Sequence, residues 1–476
     1  MIVSFIADLK LTPDNEIKIV EFGALQHSGF LGYKLASGGT DMRHDLVYPY
    51  IESLGYPVKR FEGVMQPREV AEFFETHRAN IIEHNKPAII MPPNGAYLNQ
   101  LYMMVHRDHR AVWFHNHEPV FMMAMDNKAV FMGVCGQTMR DAMPDGGFIL
   151  NDVTEDKRAD ITDAFQSGDY VIKMPEAAKG IGTMVVRGDQ MFDVMHAITN
   201  PKARPASPMP ISKEWDDWYT PLILWQEKIT GKAVAHNGAH YDGTMRAVMT
   251  AHLDPASKEI KLEVHDAYWK FPKVAIGEGS LQDTTVSHSP PVAAYHGDFN
   301  ARAKAAESFA LVSAADKQIV WDHLHRVIPK TVRNLLNHDA GEMAHHFLDL
   351  EKPDGVLLSV GMMIASMGNY FDGYDTIKSH RHVHYPPNQE PQESGIEFVF
   401  PPQLAETMRV IAQADPDAPW ARYLRSLHSP RRKHVISPQF YDAVLAHIPR
   451  YHDSELQLDL NFDVDVDANA LKPAPV

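Results

Sequence analysis

The stretch from Asp169 to Arg187 holds residues that could do phosphate chemistry. Two short β-branched runs, Tyr170–Ile172 and Met184–Val186, flank a loop with Lys179, Gly180 and Gly182, and Lys173 closes the first run. Glycines let backbone N–H groups approach phosphate oxygens closely, and a lysine ammonium supplies a point charge. Read alone, the stretch is equally an ordinary hairpin with a glycine-rich turn.

A second chemistry is suggested by the 27 histidines. They cluster as His106 with His109, His115 with His117, His345 with His346, and His380, His382 and His384. Alternating histidines on a strand share one face and could ligate zinc or a transition metal, as in a metal-dependent hydrolase. None shows the His-Glu-x-x-His spacing, and most are expected to be surface or core hydrogen bonders.

The elements that must position these groups read as follows. Residues 1–35 form a β-hairpin, with strands over Val3–Leu9 and Ile17–Phe22, a turn at Thr12–Asn15, and a small-residue loop at Ser28–Gly32. Residues 36–125 alternate strand and helix signals, which favours a mostly parallel sheet; Ala88–Met91 and Ala111–Phe114 are its strands. Residues 126–275 hold a helical run to Met143, a strand at Phe148–Leu150, the Asp169–Arg187 hairpin, a helix at Gln190–Thr199 and a proline-rich loop to Pro210. Strands follow at Leu222–Ile229, Thr244–Thr250 and Ile260–His265, and Tyr268–Pro272 is an aromatic exit. Residues 276–452 are mostly helical, with candidates at Ala301–Val312, Ala315–Val327 and Met343–Leu350. The acidic tail, 453–476, is expected to fray.

The totals bound the answer. A chain of 476 residues allows two to four units, and 45% hydrophobic with 22% charged residues can bury a large core. The single cysteine, Cys135, excludes an intrachain disulfide framework and fits a cytoplasmic, reducing compartment. A net charge of −16 argues against nucleic acid or an anionic membrane as partner, while leaving room for a local cationic pocket. No membrane span or signal peptide is visible. Oligomeric state is not legible, and a homo-oligomer stays open.

In order and spacing, the motifs between Asn127 and Lys270 resemble the ATP-grasp family of ligases. Asp126-Asn-Lys128 is similar to the family's aspartate–lysine helix start, Lys173 to its second phosphate lysine, and Lys179-Gly180-Ile-Gly182 to its glycine-rich lid. Gln226, Glu227, Lys228 and Ile229 resemble the hinge whose backbone holds adenine, and Arg246 falls where the family places an arginine near the reacting phosphoryl group. The family's aspartate strand and Glu-x-Asn strand have no clear copy after Trp269, but one sits at the front: Asp8 and Glu21 lie on adjacent strands of the first hairpin. Antiparallel pairing could bring both to one edge, as two hard oxygen ligands for Mg²⁺. The resemblance thus implies a circularly permuted member. Its fold class is α/β (α+β), an ATP-grasp-like core of two α+β lobes with a helical C-terminal extension.

Its implied cofactors are ATP and Mg²⁺. Its implied reaction joins a small-molecule carboxylate to an amine or thiol through an acyl phosphate, with Arg246 and Lys173 as catalytic cations. Gly23 departs from the pattern, standing where the family has asparagine; Gln26 or His27 could replace it as the second metal contact. That departure suggests a second reading, a non-catalytic nucleotide-binding relative. Plainer readings of single residues are solvated strand carboxylates for Asp8 and Glu21, a helix-surface lysine for Lys128, and a strand-face ion pair of Arg246 with a carboxylate such as Glu263.

Overall fold

The protein is described by a computed structural model covering residues 2–337, apart from 25–26, most of 61–130 and short stretches within 151–152, 175–179, 214–221, 255–258 and 288–297. The His clusters, Lys179, the Pro67–Asn80 helical pattern, the Met343–Leu350 helix and the acidic tail lie largely or wholly outside the described residues.

The opening hairpin forms as its sequence reads. Strand β1 (Ile2–Leu11) turns at Thr12–Asn15 into β2 (Ile17–Ala24). Asn15 takes a positive φ of 63°, which asparagine tolerates, and Thr12 Oγ1 accepts from Glu16 N–H. All ten residues of β1 are buried. A strand this apolar on both faces has to sit inside a sheet. It does: β1 pairs with β2 on one side and with β12 (Thr244–Leu253) on the other, in a five-stranded antiparallel sheet ordered β14-β13-β12-β1-β2. Strand β13 is Ile260–Lys270 and β14 is Phe309–Leu311. Residues from the first and last thirds of the described chain therefore share one sheet.

Both faces of that sheet are covered. Val3, Phe5, Leu9 and Leu11 meet Phe131, Cys135 and the long helix Ala314–Asn337, whose Val320, Leu324, Ile328 and Val332 recur at helical spacing. Ser313 Oγ caps that helix by accepting from Asp316 N–H. On the other face, Ile2 and Ile6 meet helix α1 (His27–Ser37) and helix α2 (Tyr48–Ser53). Against them lies a small parallel sheet of β3 (Val58–Arg60), β4 (Ala88–Met91) and β5 (Val112–Phe114). The expected parallel sheet is thus present over these residues.

A second antiparallel sheet, ordered β6-β9-β7-β8, comprises β6 (Gly146–Leu150), β7 (Asp169–Lys173), β8 (Met184–Arg187) and β9 (Leu222–Glu227). One face packs on helix Met191–Thr199 through Ile172, Val186, Val194 and Met195. Leu224 of β9 joins instead the core under the five-stranded sheet, so the two sheets meet there. The class is therefore α+β, with mixed helices and mainly antiparallel sheets.

Four local expectations are corrected. Ser28–Gly32 lies within helix α1 and not a loop. Pro201–Ala206 is a 3-10 helix where a proline-rich loop was expected, with Asn200 capping it. Strand β13 runs through Tyr268–Lys270, so the aromatic exit is strand. Phe309–Leu311 is a strand that interrupts the expected Ala301–Val312 helix. A hairpin of β10 (Ala233–His236) and β11 (Ala239–Asp242) adds to the expected elements. Among the described residues no helix is long and apolar enough to cross a membrane.

Candidate functional site

Asp8, Glu21, Lys128, Lys173, Gln226 and Arg246 come together where the two antiparallel sheets meet. Register explains how. Asp8 is the cross-strand partner of Arg246 on one side and of Glu21 on the other. Directly opposed residues on an antiparallel pair point the same way. A β-bulge between Asp8 and Leu9 gives β2 one extra residue, Val20. The bulge lets Ile19 and Phe22 both stay in the core while Glu21 turns to the Asp8 side. It also frees the Val20 carbonyl to accept from Gln226 Nε2 at 3.4 Å, which ties the second sheet to the first.

At the centre is a buried ion triad. Arg246 Nε and Nη2 donate to the two Asp8 oxygens at 2.6 and 2.7 Å, and Lys270 Nζ donates to Oδ2 at 2.6 Å. Burial alone would raise the Asp8 pKa, but the charges of Arg246 and Lys270 outweigh it and hold the carboxyl well below its usual range. Burial, and then Arg246, lower the Lys270 ammonium. Arg246 thus pairs with Asp8 and not with Glu263, which lies opposite Thr250.

Three further pairs flank the triad. Lys173, at the end of β7, donates to Gln226 Oε1 at 2.6 Å, and burial lowers its pKa to about 8. Glu21 pulls that value back up and Lys128 pushes it down, so all three are within electrostatic reach. Lys128 Nζ stands 4.0 Å from Glu21 Oε2. On the other flank, Lys10 Nζ donates to Asp242 Oδ1 at 2.7 Å, Gly231 N–H donates to the same oxygen, and Lys228 Nζ lies 3.8 Å from Oδ2. Among the described residues of this cluster, the basic side chains Lys10, Lys128, Lys173, Lys228, Arg246 and Lys270 outnumber the carboxylates Asp8, Glu21 and Asp242. In a chain of net charge −16, such a local cationic surplus suits an anion.

The glycine loop is held by its own constraints. Gly180 and Gly182 have φ of +74° and +66°, and Thr183 N–H closes a turn on the Gly180 carbonyl. Trp215 Nε1 donates to the Gly182 carbonyl at 3.0 Å. Gln282 anchors the following strand, donating to Thr183 O and accepting from Val185 N–H.

The hinge differs from what adenine recognition by its backbone needs. Glu227 N–H donates to Asp145 O and Lys228 N–H to Asp169 O, so these two donors are committed to the sheet. Ile229 lies just past the end of β9.

A metal fit can be tested on the donors present. Among the described residues no group of three or more His, Cys, Asp and Glu could hold a metal ion. Gly23 faces Ile6, whose Cδ1 and Cγ1 would lie 3.0 Å from an added Cβ, so a larger side chain there has to displace Ile6. Asp8 and Glu21 alone fit Mg²⁺ only when a phosphate chain and waters complete the shell, which is how Mg²⁺ is commonly held.

Two participants escaped the sequence reading, Lys270 and the Lys10–Asp242 pair. The signal for Asp242 was present, since Asn237-Gly238 between alternating residues marks the β10–β11 hairpin; both residues have positive φ there, 49° and 82°. No family model, curated protein or solved structure matches the chain.

Proposed function

We propose that this cluster holds the polyphosphate of ATP, and that the protein is an ATP- and Mg²⁺-dependent ligase on a circularly permuted ATP-grasp-like core. In this reading the four-stranded sheet is one lobe and the five-stranded sheet the other. The reaction joins a carboxylate to an amine or thiol through an acyl phosphate. One observation carries the reading: Asp8 and Glu21, from the opening hairpin, share a cluster, buried at its centre and partly exposed at Glu21 and Lys128, with Arg246, Lys173 and Lys128 from the middle of the chain.

The roles follow from position. Lys173 and Lys128 sit by Glu21 and would hold phosphate oxygens as point charges. Arg246 has a planar fork able to take two oxygens of a transferring phosphoryl group. Asp8 and Glu21 would be the protein's ligands to Mg²⁺, which when bound neutralises charge on the phosphate oxygens. Catalysis on such a site is positioning and electrostatics, which a buried, preorganised set of cations supplies.

The test is a thermal-shift series with Mg·ATP on wild type and Lys173→Ala, followed by an assay for ADP release with candidate carboxylates. The expectation is a rise in Tm for wild type that Lys173→Ala loses. No shift in wild type would remove the proposal. A second reading, binding of nucleotide without turnover, is favoured by Gly23, which carries no metal-binding side chain and packs closely against Ile6. It predicts the Tm rise with no ADP release for any substrate pair.

A further inference from the structure

We infer that Lys270 is a phosphate-holding residue of this site, and that Asp8 is the counter-ion kept by Arg246 and Lys270 until a metal-complexed polyphosphate replaces it. This deepens the reading of the cluster as a polyphosphate site and rests on it.

Three observations lead here. Both Asp8 oxygens are already engaged, by two donors of Arg246 and one of Lys270. The three side chains are 6–9% exposed, so water contributes little. Two positive charges thus share one bonded carboxylate in a buried site, with Glu21 acting on both at longer range, and an under-compensated buried cation is costly. A polyphosphate brings more negative charge than one carboxylate. Its oxygens suit both the Arg246 fork and the Lys270 ammonium.

The exchange has a consequence for the metal. While Asp8 is held by two cations, only Glu21 beside it offers a carboxylate for a divalent cation. When Arg246 and Lys270 turn to phosphate oxygens, Asp8 is uncovered opposite Glu21, and both hard oxygen ligands are then available. Without a cation, the uncovered Asp8 would face the phosphate and repel it. Polyphosphate and Mg²⁺ therefore bind together far better than either does alone.

Inorganic tripolyphosphate tests this without a nucleoside, by titration calorimetry on the full chain with and without Mg²⁺. Wild type is expected to bind tripolyphosphate about tenfold or more tightly when Mg²⁺ is present. Lys270→Met should weaken Mg·tripolyphosphate about tenfold, and Lys270→Arg should restore it. Asp8→Asn should bind metal-free tripolyphosphate more tightly than wild type and gain nothing from Mg²⁺. Because Asp8→Asn leaves two buried cations without a carboxylate, circular dichroism checks its folding; if it does not fold, the wild-type Mg²⁺ effect and the Lys270 pair decide. Equal wild-type affinity with and without Mg²⁺, or a silent Lys270→Met, overturns the inference. Should tripolyphosphate behave as expected while ATP does not bind, the ligase proposal fails and the exchange stands. If Mg·ATP binds and Lys270→Met changes nothing, the exchange fails and the ligase proposal stands.

Discussion

Asp8 and Arg246 are 238 residues apart in the chain and face each other across β1 and β12, joined by two hydrogen bonds of 2.6 and 2.7 Å. The pair is both a bond between the first strand and the middle of the chain and the centre of the charged cluster. Its two roles can be separated by mutation.

Replacing Arg246 with Met leaves Asp8 paired with Lys270 alone. Breaking a buried pair by removing one partner costs about 3–5 kcal/mol. Urea denaturation of Arg246→Met should show a loss near the lower end, since Lys270 still compensates Asp8. Arg246→Lys should recover part of the stability without the bidentate geometry, and Mg·ATP binding should stay weak in both. A variant as stable as wild type would contradict the pair's structural role.

Lys173 gives the site a pH dependence. Burial lowers its pKa to about 8, from 10.5. In the absence of an anion, its folded value lies below its unfolded one, so its contribution to stability improves as pH rises through that window. A phosphate beside Nζ favours the charged form and raises the pKa again. Binding should therefore take up a proton near pH 8, and Mg·ATP affinity should fall as pH climbs above 8. Calorimetry in two buffers of different ionisation heat reads the uptake directly. Lys173→Arg keeps its charge and should bind with no such slope.

A second pH effect lies in the five-stranded sheet, on β12 and β13. Burial lowers both His252 and His265 to about 4. His252 Nε2 shares a 2.6 Å hydrogen bond with Tyr56 Oη, and its buried Nδ1 has no hydrogen-bond partner among the described residues; His265 Nε2 is bonded to Thr250 Oγ1. Their folded values lie below the ordinary 6.5, so the stability they contribute is complete above that pH and is lost as pH falls toward 4. Tm measured at pH 7, 5 and 4 should drop across this range. His252→Gln should flatten part of the drop; a profile identical to wild type would exclude His252 as a cause.

The two loop glycines should respond differently to alanine. At Gly180 an added Cβ meets Val286 Cγ1 at an ordinary 3.5 Å, so Gly180→Ala carries only the left-handed backbone cost of about 1–2 kcal/mol. At Gly182 an added Cβ would lie 2.5 Å from Met174 Sδ and 2.8 Å from its Cγ. Gly182→Ala therefore has a clash as well, and denaturant midpoints should fall distinctly further for it. Equal midpoints would show that Met174 simply moves aside.

Much of this arrangement could be read from the chain. β1, β2 and β7 to β9 announce themselves by alternation and turn residues, and the Asp8–Glu21 pairing follows from the hairpin. What was hidden depends on irregularities that alternation does not record. Ile260, Leu262 and Val264 of β13 point into the core, and the same parity carried on would bury Lys270 there too. A bulge at Val248/Met249 makes His265 the extra residue. Beyond it Ala267, Trp269 and Phe271 take over the core side, and Lys270 turns to Asp8. Helix α1 was hidden by glycine: Gly32 sits in it because an added Cβ would lie 2.5 Å from the Tyr268 hydroxyl. A residue that reads locally as a loop signal is there for a contact made from far along the sequence.

Strand β1 is buried along its whole length, and its main partner, β12, follows more than two hundred residues later. During synthesis that first strand leaves the ribosome long before its neighbour exists. At roughly 5–20 residues per second, the wait is on the order of ten seconds or more. Over that interval an apolar strand with only β2 beside it is open to wrong pairing, so newly made chains depend on whatever shields them until residue 253 has emerged.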